Sequence, residues 1–467
     1  MSVRHDGIIK AVGGERFTPY TLARKLGARA ILESSSFQKG KERYSILLVD
    51  EAFRLIQNDS QVVIKKDGGS YAIKSSHKDI LDVLKYFADQ QPPLHPDIPI
   101  PAGGIGYLSY EFARFCDDMK FRTKRDQLDL PDAEFIFGHV FVVFDHYTDM
   151  IYLLGMNYHE HEIDLGRRIA ETEQKLNDLN FNYLAPETKS ERMELVEVEE
   201  SKERYLAGVD RVRSEIVKGN LLQGVLSRRV SIRTDLSALE AYKNLRSANP
   251  SPYLFYIDFG EYQLFGSSPE VHVKVKDGRS TIHPIAGTRR RGATSEEDKQ
   301  LEAELLADEK ELAEHLMLVD LARNDLGRFC SSGSVTVEEF MTVERYSHVM
   351  HIVSRVSGSL REGMTGLDAI RATFPAGTVS GAPKIQAVQT IDSLEDAPRK
   401  FYAGLVGYVE PGGDLDTCIT IRSAMKRGDL LTLQAGAGVV FDSNPEREYE
   451  ETGEKLMALA AAVGLEM

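Results

Sequence analysis

Short apolar runs interleaved with amphipathic helical stretches, in an order that never settles into a strand–helix–strand rhythm, constrain this chain most. Tyr44 to Val49, Gln61 to Lys65, His139 to Phe144, Met150 to Leu154, Tyr253 to Asp258 and Val271 to Val275 read as strands. Each is short, and most are rich in β-branched and aromatic residues. Helical spacing appears in a charged stretch from Glu162 to Leu179 and in a longer one from about Ser295 to Asp325. It is clearest at Tyr205, Val209, Val212 and Ile216, where i, i+4, i+7 and i+11 form one apolar stripe that Gly219 can end. A βαβ sheet would need strict alternation, so the expected class is α+β, with sheets flanked by helices. Gly103-Gly104-Ile105-Gly106-Tyr107-Leu108 reads as a tight turn into a further strand, since no helix follows to complete a phosphate cradle. No repeat of solenoid length is present.

At 467 residues the chain is long enough for two lobes. Asn180 to Glu200, with Pro186 and an acidic run, reads as a surface linker. The expected division is therefore an N-terminal lobe over 1–188 and a second over 201–467. A net charge of -15 argues against nucleic acid, whose binding needs a basic surface, but leaves room for a small anion in a locally positive pocket. Cys116, Cys330 and Cys418 are far apart, which argues against a disulfide framework or a zinc site and for a reducing compartment. Met1 to Lys10 has no apolar leader core, and no run approaches the roughly 18 apolar residues of a membrane span. A cytoplasmic protein is expected.

Two glycine-rich segments could cradle an anion. Phe374 to Lys384, containing Gly377-Thr378 and Pro383, leads into a helical pattern whose free amides suit a carboxylate. Gln434-Ala435-Gly436-Ala437-Gly438 leaves a strand with alternating glycines that admit a ligand close to the backbone. Glu311 and Glu314 lie three apart on the long helical stretch, with Leu312, Leu316 and Val319 taken as its buried side, and Glu448 and Glu451 repeat the spacing. Oxygen-only ligands of this kind suit Mg2+. A solvated helical face is the bland alternative for each pair. His348 and His351 lack a third ligand for zinc, so an acid/base or core role is the better reading. Arg422 follows the turn at Pro411-Gly412-Gly413, where a bidentate grip on a carboxylate competes with a surface ion pair.

In order and composition these segments resemble the chorismate-utilising enzymes, most closely the large (aminase) subunits of anthranilate synthases. Pro284-Ile285-Ala286-Gly287-Thr288-Arg289, Glu314 to Asp325, the Phe374 to Lys384 loop, Gly413 to Cys418 and Gly436 to Gly438 carry the resemblance. It implies a two-lobed fold of antiparallel sheets packed as a sandwich with helices outside. It also implies a Mg2+-dependent conversion of chorismate and ammonia to anthranilate and pyruvate. By the same resemblance Glu314 and Glu451 bind the metal with Glu448 beside them, and Glu311 belongs to the site. Gly287, Thr288, Tyr402, Arg422, Gly436, Ala437 and Gly438 would contact chorismate. Glu270, in Ser267-Ser268-Pro269-Glu270, would protonate the departing C4 hydroxyl, His351 would serve pyruvate elimination, and Thr378 would line the pocket.

Two positions speak to specificity. Ala286 stands where aminodeoxychorismate synthases carry lysine, and Gln223 stands where isochorismate and salicylate synthases place the lysine that activates water. An uncharged Gln223 leaves water unactivated and favours ammonia. The resemblance reaches the first lobe through Ile31 to Ser34 and Arg43 to Ser45, completed by Asn249 to Tyr253. There Ser34, Pro252, Tyr253 and Leu254 would hold L-tryptophan as an inhibitor. A chain without tryptophan fits an enzyme made when tryptophan is scarce. No Cys-His-Glu glutaminase set follows, so a separate amidotransferase subunit, and hence a hetero-oligomer, is expected. The rival enzyme readings are an aminodeoxychorismate or 2-amino-2-deoxyisochorismate synthase. A non-catalytic chorismate- or tryptophan-binding regulator is the rival of another class.

Overall fold

The computed structural model describes residues 7–14, 17–34, 43–73, 79–178, 193–198, 201–345 and 349–465. Every pair of neighbouring strands among them runs antiparallel. The long strand Tyr44–Asn58 is the spine of the first part, pairing with Ala133–Asp145 from Tyr44 opposite Asp145 to Gln57 opposite Ala133. Strand alternation sends its side chains to opposite faces. Ile46 and Leu48 enter one apolar cluster and Leu47 the other. The result is a sandwich: antiparallel sheets with apolar layers on both faces, and helices outside. Ile80–Ala88 covers one layer with Ile80, Leu84 and Phe87, and Ala238–Ala248 covers the other with Ala241, Tyr242 and Leu245. Within the first layer Phe53 stacks on Phe137 at 4.6 Å, and Tyr158 meets Phe53 edge-on at 5.2 Å.

Strands from the two ends of the chain share sheets. Ala30–Glu33 lies between Tyr44–Asn58 and Tyr253–Asp258, with Leu32 opposite both Ile46 and Phe255. Ile105–Leu108 likewise bridges Ala133–Asp145 and Leu405–Val409. These contacts join residues hundreds of positions apart, and they bring N-terminal side chains up to the C-terminal half.

The strands expected from sequence are present, as is the stripe of Tyr205, Val209 and Val212 on the helix Lys202–Val217. Three local readings are corrected. The single helix expected from Ser295 to Asp325 is two, Ser295–Ala307 and Glu309–Gly327. Asp308 ends the first and caps the second by accepting from the amides of Lys310 and Glu311, a cap typically contributing about 1 kcal/mol. Leu316 is 45% exposed, because the buried face of that second helix is set by His315, Leu318, Val319, Ala322 and Leu326. Within the expected linker, Met193–Val198 is a strand paired with Val230 to Thr234, and the Pro186 stretch lies outside the described residues. All three cysteines are free, and among the described residues no helix is long and apolar enough to cross a membrane.

Candidate active site

A three-strand strip builds the candidate site. Gln223–Thr234 runs against Leu430–Val439, with Val225 opposite Gly438 and Ser227 opposite Gly436. On its other edge Gln223 and Gly224 pair with Ala382 and Gly381, which follow the single turn Gly377–Val379. Close backbone approach demands glycine at two places. A Cβ on Gly381, whose φ is 131°, would stand 2.2 Å from the Gln223 carbonyl, and one on Gly436 would stand 2.8 Å from the Tyr402 hydroxyl. The strip, the Glu309–Gly327 helix and the Pro445–Ala462 helix enclose a cavity of about 210 Å³. Gln223, Glu270, Glu314, Thr378, Tyr402, Arg422, Gly436, Gly438 and Glu451 all line it.

Glu270 follows the strand Gln263–Ser268 and is buried, its backbone held by Ile419 N at 3.0 Å. Burial pushes its carboxyl up to about 7, against the smaller opposing pull of Thr378 and Arg422. The Thr378 hydroxyl is buried close enough to Glu270 to oppose that rise, yet too poorly aligned to close a full hydrogen bond with any described residue. Arg422 sits at φ 50°, left-handed backbone that aims a non-glycine side chain unusually. Its guanidinium lines the cavity and forms no hydrogen bond or ion pair with the described residues. Burial lowers its pKa, while Tyr402, Glu451 and Glu270 raise it. An arginine desolvated without an anion is a standing cost that a bound carboxylate relieves. The cavity therefore offers an anion grip, a carboxyl group that holds a proton up to about pH 7 and an unfilled hydroxyl within one small volume.

The carboxylates divide. Glu314 and Glu451 both line the cavity. Burial raises the Glu314 pKa, Glu311 and Glu451 add to it, and Lys310 and Gln223 oppose. Glu311 instead faces Arg289 at 3.2 Å and lies beside Gly287. Glu448 is buried outside the cavity's lining, its pKa raised by burial and by neighbouring Glu451. Among the described residues no three acidic, histidine or cysteine side chains converge as a ready metal set. Two oxygen donors in one cavity still fit Mg2+, which keeps water and substrate oxygens on its remaining positions.

Several expected residues lie outside the cavity's lining. Ala286, Gly287 and Thr288 belong to the strand Ile285–Arg290, where Gly287, at φ 67°, sits in the bulge between Ala286 and Thr288. His351 pairs with Thr288 across the ladder, its Nδ1 at 3.0 Å from the Gly287 carbonyl and 3.1 Å from the Thr288 hydroxyl. Burial lowers its pKa, which favours the neutral ring. Ala437 is buried, and strand alternation points its side chain away from the face that Gly436 and Gly438 present. His348 lies outside the described residues. Conversely, the sequence reading passed over Lys455, which lines the cavity and holds Glu451 at 2.6 Å and the Gly436 carbonyl at 2.9 Å. Its position one turn beyond Glu451 was the available signal.

A second cavity, of about 110 Å³, gathers Ser34, Pro252, Tyr253 and Leu254 with Leu32, Tyr44, Tyr408 and Asp416. Ile31 is in the core instead. Glu33 sits at its wall, tied by Tyr242 at 2.7 Å and Arg246 at 2.9 Å.

A sequence model of the chorismate binding enzymes matches residues 34–461. The chain is 58% identical to anthranilate synthase component 1 of Spirochaeta aurantia, over 99% of this chain and 96% of that one. It is 40% identical to anthranilate synthase component 1 of Aquifex aeolicus, over 96% and 92%. The crystal structure of anthranilate synthase component I from Streptococcus pneumoniae superposes with a TM-score of 0.80 at 34% identity, over 91% of this chain and 94% of that chain. The menaquinone-specific isochorismate synthase of Escherichia coli shares the fold at a TM-score of 0.74 and 19% identity, over 98% and 95%. The chain belongs to the chorismate binding enzyme family, among the anthranilate synthase component 1 proteins.

Proposed function

We propose that this chain is the aminase component of an anthranilate synthase, turning chorismate and ammonia into anthranilate and pyruvate. One observation carries the reading: a buried carboxylic acid, Glu270, shares a cavity with an unpartnered guanidinium, Arg422. A substrate with two carboxylates and a hydroxyl leaving group uses both.

Arg422 grips one carboxylate, and the open backbone at Gly436 and Gly438 lets the ring lie close. Glu270 donates its proton to the C4 oxygen as the C4–O bond breaks, so that water leaves while the nitrogen bonds to C2. Thr378 orients the group that Glu270 protonates. Gln223, carrying no charge, activates no water and leaves C2 to neutral ammonia. Loss of the C2 proton and of pyruvate then aromatises the ring. His351, neutral beside Gly287 and Thr288, serves that second stage at the enolpyruvyl end, with Glu311 alongside. Glu314 and Glu451 hold Mg2+, backed by Glu448; when bound, it supplies positive charge that offsets the substrate carboxylate. Ala286 keeps the product from stopping at a non-aromatic amine. A separate amidotransferase subunit supplies ammonia, and the enzyme works in the cytoplasm.

The purified chain, given chorismate, Mg2+ and ammonium, is expected to yield fluorescent anthranilate and one equivalent of pyruvate, with turnover lost on chelation. A non-aromatic amino product would replace this reading with an aminodeoxychorismate-type synthase. Tight chorismate binding without turnover would leave a regulator.

The second cavity supports feedback inhibition by L-tryptophan: its lining offers Pro252, Tyr253 and Leu254 to a flat apolar ring, and Ser34 and Glu33 to a polar end. Ser34→Leu is expected to raise the tryptophan concentration for half-inhibition about 10-fold or more, the worth of one or two polar contacts, with kcat little changed. Unaltered inhibition in that titration would remove Ser34 from the effector site.

A further inference from the structure

Among the described residues the largest fully buried side chain belongs to Arg399, which stands outside the lining of the active-site cavity. Its guanidinium donates to both Glu395 oxygens, at 2.8 and 2.6 Å. Two further donors reach carbonyls, Val379 O at 2.7 Å and Val225 O at 2.6 Å. Val379 and Val225 both line the active-site cavity. The face of the guanidinium lies over the Tyr402 ring at 5.7 Å, and Tyr402 is a third lining residue. A fourth is reached through Glu395, which accepts from Ser227 Oγ at 2.9 Å, and Ser227 Oγ in turn accepts from Gln434 Nε2 at 2.8 Å.

We infer that Arg399, locked by Glu395, is a positioning residue that fixes the four walls of the chorismate cavity relative to one another. The inference rests on the proposed reaction for its kinetic readout, though not for its geometry. The walls come from separate segments: the Gly377–Val379 turn, the start of Gln223–Thr234, the Leu430–Val439 strand and the Phe401-Tyr402 loop. Ladder hydrogen bonds tie some of them edge to edge, but the Arg399 pair is within one or two contacts of all four. The planar fork suits this task, because it presents donors in fixed directions to four acceptors. It also joins the two ends of the chain. Glu111 accepts from the amides of Arg399 and Lys400 at 2.8 and 3.0 Å, and the guanidinium also lies over the Tyr110 ring at 4.6 Å. The N-terminal part thus supplies a support for the catalytic cavity besides its own pocket.

A lysine at 399 keeps the charge and the buried stem, yet one ammonium cannot serve four acceptors spread around a plane. Arg399→Lys in the full chain is expected to lower kcat about 10²-fold and to raise the chorismate KM about 10-fold, as sub-ångström misplacement of reacting groups does. Amide hydrogen exchange at Val225, Val379 and Ser380 is expected to quicken about 10-fold or more. A purely structural ion pair predicts otherwise: a lower Tm, with kcat and KM per folded molecule unchanged and those amides no faster than the rest of the sheet. That pattern would overturn the inference. Should R399K not fold, Ser227→Ala removes the hydroxyl that joins Glu395 to Gln434 while the Ser227 amide still donates to Glu395, and is expected to raise the chorismate KM several-fold; an unchanged KM would count against the positioning role. If the wild-type chain makes no anthranilate, the reaction assigned above falls, and the exchange rates alone decide whether Arg399 holds the walls.

Discussion

Glu270→Gln is expected to lower kcat by about 10³-fold, within the range that general acid catalysis contributes, with a small change in chorismate KM. The amide keeps the shape of the carboxyl and removes only the transferable proton. The pH dependence follows from the same group. Burial lifts the Glu270 carboxyl from 4.5 to about 7. The acid form is therefore available below pH 7, and wild-type turnover should fall as pH rises through 7. Arg422 is the cation that faces it. On its other side a recess is lined by His272, held neutral by burial, and by Asp325, which is ion-paired to Lys384 at 2.9 Å. Stability moves in the same direction. The folded chain holds a proton here that the unfolded chain releases near pH 4.5, so the contribution is complete below 4.5 and is lost as pH rises through 7. The raised pKa corresponds to about 3 kcal/mol across that interval. Glutamine does not titrate, so thermal melts should show E270Q gaining on the wild type from pH 4.5 to pH 8. A difference that stays flat with pH would show that Glu270 is not an elevated acid.

Arg422→Met should trade binding for stability. A charge-assisted hydrogen bond to a carboxylate contributes about 1.5–3 kcal/mol, so losing the guanidinium should raise the chorismate KM about 10- to 100-fold. The ligand-free chain should become more stable, because an unpartnered, desolvated charge is replaced by an apolar side chain of similar reach. Methionine keeps the left-handed backbone strain at φ 50°, so that term cancels in the comparison. Steady-state kinetics and a melt without ligand test both halves. A lower Tm in R422M would mean that the guanidinium has a structural partner, and an unchanged KM would remove it from the substrate.

Local physics made much of this legible in the sequence. The strand runs and the stripe at Tyr205, Val209 and Val212 are set by side-chain period, which a few residues encode. Glu314 and Glu451 were recognisable as candidates, and so were the glycines at 436 and 438. What the period did not reveal was phase. The same three-residue spacing puts Glu314 in the cavity and Glu311 against Arg289, a division set by how the helix packs on the Ile285–Arg290 strand. The break at Asp308 was hidden for a related reason. Helical periodicity continues across it, while the capping carboxylate is also held from outside by Arg289 at 2.7 Å.

The sequence by itself determined the α+β class, the residue types fit for gripping an anion and donating a proton, and, through ordered motifs, the family to which they belong. Tertiary structure alone decided which of those residues share a cavity. It brought Ser34 to Tyr253 and left Ala437 facing away. It also set Arg399 behind walls formed 174 residues upstream at Val225 and 20 residues upstream at Val379. Propensity and chemistry are properties of a few adjacent residues. Convergence depends on strand pairings and buried ion pairs that exist only once distant segments have packed, so no short window of sequence contains it.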